Sequence, residues 1–308
     1  MTILVGHSGF VGSNLMQQYN FDVAVNSTNV NSAFGLQPDL LVYSGVRAEK
    51  FLANASAEED FKLIQTAIDN ISKINPKKII LISTVDVYPT PTAVDEDFEI
   101  DELKQEPYGK NRFYLERWVE QNFTDYLIVR LPGLFGKSLK KNFIYDAIHI
   151  SPKMLSIKKY DELLEQDFDL KNYYHLQPNG FYHLKEDLSE SDRSFLKKQF
   201  LDIGFSALNF TDSRGQFQFY NLKNLWSDIN LLLDAGVKKV NLVTEPVLIS
   251  QIYHLIFDKP FVNEIFQTPP SYNLYTKHAN VFNRTGPYIR DKEDVLNEIV
   301  DFIKQNKQ

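Results

Sequence analysis

The sequence predicts an α/β fold, a doubly wound parallel sheet with a smaller, partly inserted C-terminal domain. Three observations lead there. Apolar runs of strand length alternate with amphipathic helical stretches through the first half of the 308 residues. A glycine-rich turn joins the first of those runs to the first helix. Residues 160–215 then lose any clean period before order returns near Leu222.

The elements follow in order. Thr2–Val5 is a short apolar run ended by Gly6, and Phe10–Tyr19 has helical spacing. Phe21–Val25 and Asp39–Tyr43 read as the next two strands. Ser56 and Glu59 have the spacing of a capping box. They precede Phe61, Ile64, Ala67, Ile68, Ile71 and Ile74, one face of a helix that Pro76 stops. Ile79–Ile82 is apolar without interruption, as in a sheet covered on both faces. Phe113, Tyr114, Trp118 and Val119 mark a helix over 110–121, and Tyr126–Leu131 is another buried strand. Later, Leu222 to Leu233 reads as a helix closed by Gly236, Val240–Val243 as a strand and Asp291–Gln305 as a terminal helix.

Composition narrows the function classes. Hydrophobic residues make up 43% and charged residues 24%, which is a globular balance and excludes a disordered or collagen-like chain. The net charge of −7 argues against a nucleic acid as partner. No apolar run reaches the roughly 20 residues of a membrane span. Cysteine is absent, so thiolate chemistry and disulfides are excluded. The chain opens on a strand-like run and not on a leader, and the cytoplasm is the expected location. No pair of histidines has metal-ligand spacing, so no metal site is expected.

Three segments carry residue types suited to chemistry. Gly6-His7-Ser8-Gly9-Phe10-Val11-Gly12 follows a strand and opens a helix. Glycines there permit a tight turn and let backbone N–H groups approach a pyrophosphate, so a dinucleotide is the expected ligand. Ser83 and Thr84 end a central strand, where open α/β sheets bind ligands, and Asp86, Val87 and Tyr88 follow. Tyr108-Gly109-Lys110-Asn111-Arg112 places a phenol beside cations at a helix start, and nearby positive charge eases phenol ionisation.

Together these segments resemble one family, the extended short-chain dehydrogenase/reductases, also called the NAD-dependent epimerase/dehydratase family. Gly6, Gly9 and Gly12 match its GxxGxxG pattern, Ser83-Thr84 with Val87-Tyr88 its S-S/T-x-x-V-Y segment, and Tyr108-Gly109 with Glu116 its Y-G-x-x-K-x-x-x-E segment. Arg130 to Gly136 is similar to the family's strand exit, and Phe217–Asp228 and Asn241–Pro246 to two later segments. The resemblance implies a Rossmann-like nucleotide domain over 1–136 and about 216–250, and a substrate domain over about 137–215 and 251–308. It implies Tyr108 and Thr84 as catalytic residues with Arg112 as the supporting cation. Gly6, Gly9, Phe10, Val11, Gly12, Asn26 and Ser83 would hold NAD or NADP. Asp86 and Asn142 are candidate substrate contacts. The implied reaction is hydride transfer on a nucleotide-linked sugar, as an epimerase, a 4-keto-sugar reductase or a 4,6-dehydratase, and a homodimer is compatible with it. A non-catalytic dinucleotide-binding regulator is the alternative.

The sequence departs from the family pattern in four places. Arg112 stands where the family has Lys, which keeps the charge but changes the donor geometry. Val25 is followed by Asn26-Ser27-Thr28-Asn29 with no acid to grip a ribose, so NAD and NADP both remain. About thirteen residues separate Val25 from Asp39, which predicts that the family's third strand is shortened or missing, a shortening partly shared by dTDP-4-dehydrorhamnose reductases. Asp86 matches the acid of the family's dehydratases, but Val85 occupies the place of its partner.

Overall fold

The structure is a computed structural model that describes residues 1–166 and 168–306. In chain order it forms β1 (Thr2–Val5), α1 (Phe10–Leu15), β2 (Val23–Val25), β3 (Leu40–Tyr43), α2 (Lys50–Ala55), α3 (Ala57–Ile74) and β4 (Lys78–Thr84). Next come α4 (Pro107–Asn122), β5 (Tyr126–Leu131), β6 (Gly133–Phe135), α5 (Phe143–His149), β7 (Met154–Ser156), α6 (Ile157–Leu164), β8 (Tyr174–Leu176), β9 (Phe181–Leu184) and α7 (Glu190–Asp202). The last are β10 (Gln216–Phe217), β11 (Phe219–Asn221), α8 (Leu225–Asp234), β12 (Lys239–Asn241), β13 (Val247–Leu248), α9 (Ile249–Phe257) and α10 (Lys292–Asn306). No helix among the described residues is long and apolar enough to cross a membrane.

The chain divides into two compact units. The first comprises Met1–Leu139, Gln216–Val247 and Ser271–Glu298. It is built on a six-stranded sheet in the order β12-β5-β4-β3-β1-β2, every pair of which is parallel. Strand periodicity divides its core into two layers. Leu4, Val42, Ile80, Leu127 and Val129 face one side, with Leu15 of α1 and Leu225, Ile229 and Leu232 of α8. Ile3, Val5, Leu41, Ile79, Leu81 and Ile128 face the other, with Ile64, Ala67 and Ile71 of α3 and Leu115 and Val119 of α4. The doubly wound parallel sheet is as the sequence predicts.

The expected loss of a strand beyond β2 is visible. β2 is the sheet edge, and the chain passes through a 3₁₀ turn at Val30–Ala33 before entering β3 on the far side of β1. The reversal of direction thus falls between β1 and β3, where the Gly6 turn emerges.

Three expectations are corrected. The Ser56–Glu59 capping box does not form: Ser56 serves α2 as C-cap and α3 as N-cap, and its side chain makes no cap bond. The first helix stops at Leu15, and Gln17 and Gln18 continue it only as tighter i to i−3 bonds. Residues 271–298, read from sequence as part of the substrate domain, group with the first unit. Leu274 packs with Val85, Val87 and Val243, Thr276 donates to Glu96 at 2.6 Å, and the Ile289 N–H donates to Val243.

The second unit comprises Lys140–Gly215, Leu248–Pro270 and the chain from Ile299. Its sheet is antiparallel, in the order β7-β9-β8. Aromatic rings fill it, with Tyr160 stacked on Tyr182 at 3.6 Å and Phe168 edge-on to Phe200 at 4.8 Å. Strands of three or four residues and packing by rings explain why 160–215 shows no sequence period.

Candidate active site

The glycine turn is shaped by two different needs. Gly6 has φ +94°, and a Cβ there would lie 2.6 Å from the Ser44 carbonyl oxygen. A Cβ on Gly12 would lie 2.1 Å from the Gly6 carbonyl oxygen. Both glycines are therefore required by the turn itself. Gly9 is exposed, has ordinary dihedrals as N-cap of α1, and a Cβ there would approach only the Gly6 oxygen, at 3.3 Å. Among the described residues no side chain covers Gly9 at the carboxyl end of the sheet, its own N–H is bonded to the Gly6 oxygen at 3.0 Å, and the residues present fit a dinucleotide phosphate. Beside it, Asn26 closes an Asx turn on Thr28 and reaches Ser8 at 3.2 Å.

Thr84 is the last residue of β4 and Tyr108 the second residue of α4. Pro107 starts that helix, so Tyr108 and Gly109 lie inside it, three residues earlier than the sequence reading. Gly109 decides how close the helix comes. Its Cβ position lies 2.0 Å from the Asp86 carbonyl oxygen, so only glycine lets α4 rest on the turn that follows Thr84. The Asn54 side-chain oxygen Oδ1 accepts the Tyr108 N–H at 2.9 Å. Burial raises the proton affinity of the Tyr108 phenol, the Arg112 charge and a hydrogen bond with Thr84 oppose this, and Asp86 and Asp60 add to it.

Arg112 is 5% exposed and its guanidinium lies over the Tyr108 ring, 3.9 Å from the centroid. It pairs with the buried carboxylate of Asp60 and donates to the Arg47 carbonyl at 2.6 Å and the Tyr108 carbonyl at 3.3 Å. The cation is thus present beside the phenol but committed to the protein. Lys110 points to solvent.

Several motif residues bond within the protein. Ser83 donates its hydroxyl to Glu116 at 2.5 Å. Glu116 is fully buried against Arg130, which donates in turn to the Tyr88 hydroxyl at 2.6 Å. Tyr88 also meets Asn241, whose backbone N–H donates to Glu96 at 2.6 Å. This chain of buried, mutually satisfied groups supports the turn below Thr84. Asn142 lies in the second unit. At φ +101° its side-chain oxygen caps α5 by accepting the Ile144 and Tyr145 N–H groups.

A cleft of about 220 Å³ opens at the carboxyl ends of β4 and β5, lined by Thr84, Asp86, Leu131, Pro132, Phe217 and Tyr272. Asp86 is not alone there. Lys50 reaches it at 2.9 Å and Tyr272 donates to it at 3.3 Å. Neither partner carries a sequence signal: Lys50 is the first residue of α2, and Tyr272 is 186 residues from Asp86. Among the described residues no cluster could hold a metal ion.

The model of the NAD dependent epimerase/dehydratase family matches residues 2–161, just over half of the chain. The chain belongs to this family. No curated protein matches the sequence. Among solved structures, the UDP-glucose 4-epimerase of Thermotoga maritima with UDP-glucose is 14% identical, with 100% of both chains covered and a TM-score of 0.60. A dTDP-4-dehydrorhamnose reductase of Bacillus anthracis in complex with NADP is 14% identical over 99% of this chain and 97% of its own, TM-score 0.62. A Bordetella bronchiseptica enzyme in complex with NAD and UDP is 14% identical over 99% and 94%, TM-score 0.63. At such identities the likeness is one of fold.

Proposed function

We propose that this family member is an NAD(P)-dependent enzyme that acts on a nucleotide-linked sugar, with Tyr108 carrying the proton and Thr84 orienting the same oxygen. The observation that carries the reading is that Gly109 lets the first turn of α4, which bears Tyr108, rest against the Asp86 backbone just after Thr84, and Thr84 and Asp86 line the cleft at the same sheet end as the exposed Gly9. A family member that only bound a dinucleotide would have no need of that approach. Gly6, Gly9, Phe10, Val11 and Gly12 would hold the cofactor, which when bound supplies or accepts the hydride. The second unit would hold the nucleotide sugar.

Burial strengthens the phenol's hold on its proton, and a phenol can donate to a carbonyl oxygen. Thr84 donates a hydrogen bond to that oxygen and holds it in line with the phenol. Arg112 stabilises the phenolate left behind. These roles serve the reducing direction, from a keto sugar to an alcohol, and by reversal the oxidising one. The test is reduced-cofactor oxidation with keto and hydroxy forms of UDP-, GDP- and dTDP-sugars. Tyr108→Phe keeps the ring on which Arg112 rests and should lower the rate about 10²–10⁴-fold. An undiminished Tyr108→Phe enzyme would remove this mechanism.

A further inference from the structure

Gly109 sets the first turn of α4, with Tyr108, on the Asp86 backbone, and the guanidinium over the Tyr108 ring holds Asp60, so two carboxylates bear on the phenol and the fold neutralises them in different ways. Asp60, from α3, is held by the buried guanidinium of Arg112 and by Asn111 at 2.8 Å. Asp86, from the turn after β4, meets no buried cation among the described residues. Its charge is met by Lys50 from α2, at 2.9 Å, with a side chain 40% exposed. Lys50 also lies 3.4 Å from Glu106, just before α4, and 3.5 Å from the Tyr272 hydroxyl. The groups that bear on the phenol are therefore Arg112 of α4, Asp60 of α3, Asp86 and Thr84 from β4 and its turn, and Lys50 acting through Asp86.

We propose that Lys50 is a positioning residue for the proton transfer: by pairing with Asp86 it cancels the carboxylate beside Tyr108 that Arg112 cannot reach. Arg112 is closed off by Asp60 and the Arg47 carbonyl, so the adjustable charge of the site comes from a lysine in another part of the chain. This proposal rests on the reading of Tyr108 as the proton carrier. It assigns Asp86 to charge balance, and it makes the Lys50–Asp86 pair the element through which a ligand in the cleft, by displacing or shielding the ammonium, alters the phenol's hold on its proton.

The test replaces Tyr108 by 3,5-difluorotyrosine, whose phenol titrates at lower pH, and follows its ionisation by ¹⁹F NMR without substrate. Lys50→Met should raise the midpoint by about one pH unit, the lower end of the effect of a close like charge. Lys50→Arg should restore it, and Lys50→Met combined with Asp86→Asn should return it toward the unmodified pair. The Lys50→Met shift should shrink in 0.5 M salt, since the pair is partly exposed. A merely structural role for Lys50 would not be reversed by Asp86→Asn. An unchanged midpoint in Lys50→Met, or a double variant no different from Lys50→Met, overturns the proposal. The pH profile of kcat should move with the midpoint in each variant. Expected ¹⁹F shifts without sugar turnover by the wild type would support the charge assignment and remove the proposed reaction; turnover with an immobile midpoint would do the reverse.

Discussion

Gly109→Ala separates two opposed contributions at the centre of the site. Helix propensity alone predicts that alanine inside α4 is stabilising, by up to about 1 kcal/mol. The structure predicts the opposite sign. The new Cβ would stand 2.0 Å from the Asp86 carbonyl oxygen, roughly 1.5 Å inside ordinary contact distance. That oxygen belongs to backbone and cannot swing aside. Overpacking of this kind typically costs about 1–3 kcal/mol, and here the upper end applies, so the melting midpoint should fall by roughly 5 °C or more. Relief by displacement of α4 would carry Tyr108 away from Thr84, and a 1 Å misplacement is enough to lower a rate about 10²-fold. The assays are thermal melting by circular dichroism, cofactor titration and turnover. Gly286→Ala is the control, because a Cβ there meets nothing within 4 Å. If Gly109→Ala melts at or above the wild-type temperature with full activity, the packing argument for the Tyr108–Thr84 approach is wrong.

Gly9→Val should fold normally and weaken cofactor binding, read by calorimetric titration, whereas Gly12→Ala should destabilise the fold through its 2.1 Å approach to the Gly6 oxygen; equal cofactor affinity in Gly9→Val would place the dinucleotide elsewhere. Asp146→Asn tests the second unit. Burial pushes the Asp146 carboxyl up to about 7, with Lys153 opposing. A raised carboxyl contributes stability that is complete below the unfolded value and lost as pH rises through 7. The variant should match wild type near pH 4 and exceed it at pH 8 by roughly 1–2 kcal/mol, allowing for solvent near this half-buried group; no pH dependence of the difference in urea unfolding would refute it. Arg112→Gln should cost about 3–5 kcal/mol, because it leaves the Asp60 carboxylate buried and unpaired, so Arg112→Lys is the variant in which to seek a functional effect.

The sheet and the motif positions could be read from the chain alone. Runs such as Ile79–Ile82 announce a strand covered on both faces because the pattern is local and every position is apolar. The Gly6–Gly12 turn is likewise legible, since the turn's constraint is carried by residues close in sequence. The short stretch between Val25 and Asp39 already implied that β2 would be an edge. What sequence could not settle is where each polar side chain finds its partner. Ser83 turns to Glu116, Asn142 caps α5, Ser56 is shared by two helices, and Arg112 is claimed by Asp60. The same holds for residues 271–298, drawn back to the first unit by Leu274 and Thr276. A strand or a glycine turn is dictated by neighbours along the backbone. A charge is balanced by whatever the fold brings within about 4 Å, and Lys50 and Tyr272 meet Asp86 across 36 and 186 residues, a distance over which no local pattern survives.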